Sequence, residues 1–162
     1  MEADDRVKIF KSIARDYYSY QDHIKGIDEK IEVIQHKMEN VHSIDYDKVP
    51  SGTANFAERS PVELIEKKAL LEKEKQYYID LMHWVDEVVD SFSSGAVKAL
   101  IWMSCVQRRS LRFIADKYGL SRDGLYKARR AHLIRALNDE VMKRLDVIQQ
   151  SAPAFTGAEN RQ

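Results

Sequence analysis

Cysteine is almost missing from this chain. A single thiol, Cys105, in 162 residues excludes an internal disulfide and any cysteine-built metal cluster. It falls in the apolar series Val97, Leu100, Ile101, Cys105, where a free cysteine behaves as a small hydrophobe, so a buried structural thiol is expected and not a nucleophile. Long apolar runs are missing too. Nothing approaches the roughly 20 residues that span a bilayer, and the opening MEADDRVKIF is acidic, without the apolar stretch of a secretory signal. A soluble cytoplasmic protein with no membrane partner is expected. The motifs GxGxxG, GxxxxGK, GxSxG, HExxH and CxxC do not occur. Five histidines, His23, His36, His42, His83 and His132, lack metal-ligand spacing. The carboxylates sit on charged helical faces, and none is isolated among apolar neighbours as acid-base work would require. These absences argue against an enzyme, a metal and a cofactor.

Glycine and proline are scarce as well, six and three, which leaves long stretches free to run as helix. With 44% hydrophobic and 32% charged residues the chain is expected to be all-α and elongated. Net charge is zero, from 26 basic and 26 acidic residues, but its distribution is uneven. Residues 1–97 hold 13 Lys/Arg against 20 Asp/Glu, residues 98–135 hold 10 against 2, and the remainder 3 against 4. The block of +8 is the place to look for an anionic partner.

From Ile13 the positions Ile13, Tyr17, Tyr20, Ile24, Ile27, Ile31, Ile34, Met38 and Val41 follow steps of four and three, the seam of a coiled coil. Gly26 beside that seam costs about 1 kcal/mol relative to alanine, so the helix must draw stability from a partner. Residues 42–60 contain Pro50 and Gly52 and read as a connector. Ser60-Pro61-Val62-Glu63 then opens a helix with a capping serine, a proline at the first helical position and a glutamate placed for a capping box. In it Leu64, Leu71, Tyr78 and Val85 recur every seven residues, joined by Leu81 and Val88, while Leu70, Tyr77 and Trp84 form a second stripe. An antiparallel coiled-coil-like hairpin within residues 1–92 is expected, serving oligomerisation, with the extra stripe turned to a second protomer or to the C-terminal domain.

SFSSG at 91–95 hinges into a support helix over 96–107. Then SLRFIADKYGLSRDGLYKARR, residues 110–130, gives two short amphipathic patterns with Gly119 between them and Ser121 placed to cap the second. Leu111, Ile114 and Ala115 face inward on the first, Leu125 and Ala128 on the second; Gly119 takes the positive φ that ends a helix. This spacing predicts a helix-turn-helix in a DNA-binding domain over 96–150. After Arg130 the apolar pattern runs through Leu133, Leu137, Val141, Leu145 and Ile148, either as one long helix or with a break near Asn138-Asp139. Residues 151–162 have no periodicity and are expected to be a disordered tail.

Within the motif Arg122, Asp123, Tyr126, Lys127 and Arg130 are the candidates for base readout, with Ser121 offering a backbone N–H and hydroxyl to a phosphate at the helix N-terminus. Arg108, Arg109, Arg112 and Lys117 are the candidate phosphate contacts, which set orientation without reading sequence. Asp123 either accepts from a cytosine amino group or only favours the helix N-terminus, the latter slightly preferred. Arg129 and Arg135 are as readily solvated as bound.

The stretch SLRFIADKYGLSRDGLYKARRAHLIRAL resembles region 4 of bacterial sigma factors. The wider layout is similar to sigma-like late transcriptional regulators of phages and prophages, the ArpU and RinA types, in which a Tyr-Asp motif and a Val-Pro or Val-Gln connector join two helices; IDYDKVPSG at 44–52 matches it. That resemblance implies activation of late phage genes by binding upstream double-stranded DNA, with RNA polymerase as a second partner. Gly124 inside the second helix departs from the pattern, and nothing resembles the region that melts a promoter, so an accessory activator is expected over an autonomous sigma factor. The hairpin would make it a homodimer. The alternatives from other classes are a small-terminase-like DNA-packaging component and a helical protein–protein adaptor.

Overall fold

A computed structural model describes residues 1–43 and 60–154. Most of the connector expected at 42–60, and the tail from residue 155 onward, lie outside the described residues, as does the side chain of Val41 at the end of the seam. Among the described residues there are seven helices, α1 (Ala3–Arg15), α2 (Tyr17–Ser43), α3 (Pro61–Asp90), α4 (Gly95–Ile101), α5 (Leu111–Tyr118), α6 (Arg122–Ala136) and α7 (Asp139–Gln150), with a π-helical turn at Trp102–Val106 after α4. Among the described residues there is no strand, and no helix is long and apolar enough to cross a membrane.

The starts of these helices follow from side-chain chemistry. Ser60, Ser94, Ser110, Ser121 and Asn138 each stand in extended backbone and accept a hydrogen bond from the backbone N–H three residues on, which satisfies one of the orphan donors of the first turn. Asn138 thereby decides the question left open after Arg130: α6 stops at Ala136 and α7 begins anew.

α2 and α3 lie against each other with chain directions opposed. Tyr20 stacks on Tyr78 at 5.6 Å between ring centroids, Lys75 pairs with Asp28 at 2.6 Å, and Ile27, Ile34, Leu64, Leu71 and Tyr78 bury a small core between the two helices. The seam residues of α2 are therefore used within the chain.

The upper end of that expected seam has a different fate. The first helix ends at Arg15, and Asp16 leaves α-helical geometry, so Ile13 and Tyr17 turn away from α3's distal half into a second, larger core. There they join Phe10 and Ala14, both fully buried, and meet Leu81, Trp84, Val85 and Val88 of α3, Ile101, Cys105 and Val106, and Leu133, Leu137, Met142 and Leu145. Phe10, Ile13, Ala14 and Tyr17 are spaced three, one and three apart, the stripe of an amphipathic helix. Cys105 is buried, as its pattern predicts, and burial pushes its thiol pKa up, only partly opposed by the hydrogen bond with Ser104.

The second stripe of α3 divides. Trp84, only 1% exposed, packs beside Phe10 with ring centroids 5.8 Å apart and donates from Nε1 to the Val141 carbonyl at 3.0 Å, while Leu70 at the other end of the helix stays half exposed. Tyr77, between them, borders both cores.

Candidate nucleic-acid interface

α5 and α6 are joined by a three-residue turn whose geometry depends on one glycine. Gly119 lies in the left-handed region at φ 65° and ψ 36°, and the Leu120 N–H returns to the Ala115 carbonyl at 2.9 Å, closing the end of α5. Ser110 and Ser121 cap the two helices from Oγ, at 3.0 Å and 3.3 Å. Ile114 and Ala115 are buried, as expected for the inner face of α5.

On α6 the inward face differs from the expected one. Leu125 and Ala128 are only half-buried, and the deepest positions are Leu133 and, unexpectedly, Arg129 at 8% exposed. Leu120, apolar and within the turn, is 55% exposed, and Phe113, Tyr118 and Tyr126 on the flanking helices are exposed as well.

All ten residues singled out for DNA contact, Ser121, Arg122, Asp123, Tyr126, Lys127, Arg130, Arg108, Arg109, Arg112 and Lys117, are exposed. They divide by what else they do. Arg122, Lys127 and Arg112 have no ion-pair or hydrogen-bond partner among the described residues. Arg109 lies over the Phe113 ring at 5.1 Å and Lys117 over Tyr118 at 5.5 Å, contacts local to α5 that leave both heads in solvent.

Two of the ten are committed to the fold. Arg130 reaches back to α1, where Asp4 Oδ1 accepts from its Nε at 2.9 Å and lies 2.8 Å from its Nη2. Arg108, at φ 59° the only non-glycine with positive φ among the described residues, donates from Nε and Nη2 to the Arg15 carbonyl at 3.0 Å and 2.8 Å. That carbonyl is one of the orphan acceptors left where α1 ends, so Arg108 clamps the bend between α1 and α2, with Asp16 3.9 Å away.

α1 itself is the part of this surface that the sequence reading passed over. It lies along α6 and the π-helical turn, and carries Lys8, Lys11 and Arg15 to the same side of the molecule. Arg6 fixes its other end, donating from Nη1 to the Leu137 carbonyl at 2.9 Å and pairing with Asp139, whose pKa that contact lowers. The readable signal for α1 was the Phe10–Tyr17 stripe.

Among the described residues no group of three or more His, Cys, Asp or Glu side chains is placed to hold a metal ion. His23 stacks on Tyr78 and His132 meets the edge of Phe92, so these two act as ring neighbours. Compared with family models, curated proteins and solved structures, the chain matches none.

Proposed function

We propose that this chain is a sequence-specific double-stranded DNA-binding transcriptional regulator in which α5, the Gly119 turn and α6 act as a helix-turn-helix. The observation that carries the reading is the first two turns of α6: Arg122 and Lys127 stand exposed and unpaired at a capped helix N-terminus, beside Tyr126 and Asp123. Long cations at the opening of a helix that follows a tight turn suit base edges in a major groove. Arg109, just before the Ser110 cap, and Arg112 and Lys117 on α5 would meet flanking phosphates. Arg130 contributes less in this reading than its position suggests, because Asp4 already holds it.

The likeness to ArpU- and RinA-type regulators extends this to activation of phage or prophage late genes, with RNA polymerase as a partner and no catalytic role. A homodimer fits the exposed Val33, Val62, Ile65 and Leu70 on the outer surfaces of α2 and α3, since the seam is already used within one chain. The exposed Phe113, Tyr118, Leu120 and Tyr126 favour one other reading, an adaptor that docks a protein on the same end.

Selection of bound duplexes from a random pool, followed by gel-shift titration, tests the proposal. Arg122→Ala and Lys127→Ala are expected to weaken the selected site by about 1–3 kcal/mol each, with relaxed preference at one base pair if the residue reads a base. Enrichment of no sequence, with unchanged affinity for both variants at low salt, overturns it. Saturable capture of RNA polymerase without duplex binding favours the adaptor.

A further inference from the structure

Arg129 is the one charged side chain buried among the described residues, and none of those residues pairs with it or accepts a hydrogen bond from it. Its guanidinium carbon lies 6.0 Å from the centre of the Tyr126 ring, its only charge-stabilising neighbour. The nitrogens of Arg129 make no hydrogen bond within the described residues, yet none of them is fully shut off from solvent, so the side chain is buried while its charged head stays open to an incoming anion. The side chain lines a cavity of about 330 Å³ between α1 and α6, together with Lys8, Lys11 and Arg130. The one carboxylate at its edge, Asp4, is taken by Arg130. Four cations and one carboxylate thus line the space, and the pairing of Asp4 with Arg130 leaves Lys8, Lys11 and Arg129 without an ion pair among the described residues. Burial first, and then the positive charge of Arg129, hold the Lys11 ammonium below its ordinary pKa.

A second opening, about 440 Å³, shares the same two lysines. It adds Arg15 and Arg108 and has no carboxylate in its wall. Lys8, Lys11 and Arg15 are spaced three and four apart, which puts them in one row along α1. We infer that the cleft between α1 and α6 binds a phosphate group, held by the fork of Arg129 and the ammonium groups of Lys8 and Lys11. A phosphate dianion matches this set better than a carboxylate, because it brings two charges and enough acceptor oxygens for a planar fork and two point charges together. The inference is independent of the DNA reading and stands if no duplex binds.

The probe is inorganic phosphate, titrated into the full chain at fixed ionic strength with chloride as the balancing ion and followed by amide shifts and calorimetry. Saturable binding is expected, with the largest shifts in α1 and α6 and a phosphate-dependent rise in melting temperature. Arg129→Met keeps the buried bulk and removes the charge; it should weaken phosphate about tenfold or more and melt no lower than the parent in phosphate-free buffer. Lys11→Gln, on a half-buried surface, gives the same test by a change that leaves the core untouched, with a several-fold weakening. A labelled duplex separates the two sources of the group. If saturating phosphate releases the duplex and Lys11→Gln weakens it, the cleft takes a backbone phosphate; if the duplex is indifferent to both, or does not bind, the cleft takes a small phosphate ester. Absence of saturable phosphate binding, or equal affinity in the parent and both variants, overturns the inference.

Discussion

Tyr17 joins the bend after α1 to the flank of α3 through one polar contact. Its hydroxyl donates to Asp86 Oδ1 at 2.9 Å, and its ring meets the edge of Trp102 at 5.1 Å. Burial, then the hydrogen bond to Asp86, push the phenol from its ordinary 10.0 up to about 12. Burial likewise raises Tyr20 and Tyr77. The sign follows from linkage: the unfolded tyrosines release their protons near pH 10 while the folded ones hold theirs. Stability contributed by these phenols is complete below pH 10 and is lost as pH rises toward about 12. Urea midpoints measured from pH 9 upward (about one unit below the reference tyrosine pKa) should therefore fall through that window. Tyr17→Phe should cost about 1.5 kcal/mol at neutral pH, as expected for losing a hydrogen bond to a carboxylate, and should make the alkaline loss shallower. An unchanged alkaline slope in the variant would show that Tyr17 carries no part of it.

At the level of elements, two glycines near the turn have opposite roles. Gly119 has nothing within 4 Å of where a Cβ would stand, so the cost of Gly119→Ala is conformational alone, about 1–2 kcal/mol for an L-residue held in the left-handed region. Gly119→Asn should recover part of that, because asparagine tolerates the region. Gly124 is ordinary helix, where a Cβ would meet the Ser121 side chain at 3.5 Å, normal contact. Gly124→Ala should then stabilise by about 0.5–1 kcal/mol. If the DNA reading holds, the same substitution on the exposed opening of α6 should weaken duplex binding, whereas Gly26→Ala on α2 should stabilise and leave binding alone. Thermal melts and gel shifts on the three alanine variants check both halves. These elements also show what the sequence could and could not reveal. Caps and the turn were legible because Ser60, Ser121 and Gly119 act through their own backbone neighbourhood. The bend at Asp16 was not, because Ile13 and Tyr17 keep the seam's spacing while serving another core. Arg129 escaped for a related reason: it occupies an inward position on α6, four residues before Leu133, but a guanidinium is ordinarily read as solvent-facing.

At the scale of the molecule, the described residues form two main cores with Tyr20 and Tyr77 at their border. The smaller is a seam between two long helices; the larger collects α1, the end of α3, Ile101 to Val106, the end of α6 and α7. Truncation should separate them. Ile34→Ala in the smaller core should cost about 2–5 kcal/mol and Phe10→Ala in the larger about 3–5 kcal/mol. Only Phe10→Ala should also accelerate amide exchange in α6, since Phe10 is packed in the core that holds Leu133. Equal exchange in α6 for both variants would mean that the two cores open as one unit. The heptads of Leu64 to Val85 marked a face that packs on another helix, but which chain would fill it was not legible, because periodicity identifies a sticky face and says nothing about its partner.

The pairing of α1 with α6 and α7 has a consequence for how the protein is made. Arg6 finds its acceptor 131 residues further along, and Phe10 shares a core with Leu145. α1 leaves the ribosome before α2, α3 and α7, and its inner face stays uncovered until α7 has been made. α2 and α3 can close on each other well before then. Synthesis therefore passes through a stage with one core complete and the other represented by exposed phenylalanine, isoleucine and tryptophan, held open by the entropy of a very long loop. Chaperone occupancy on the nascent chain should persist until α7 has left the exit tunnel, later than the helical content alone would suggest.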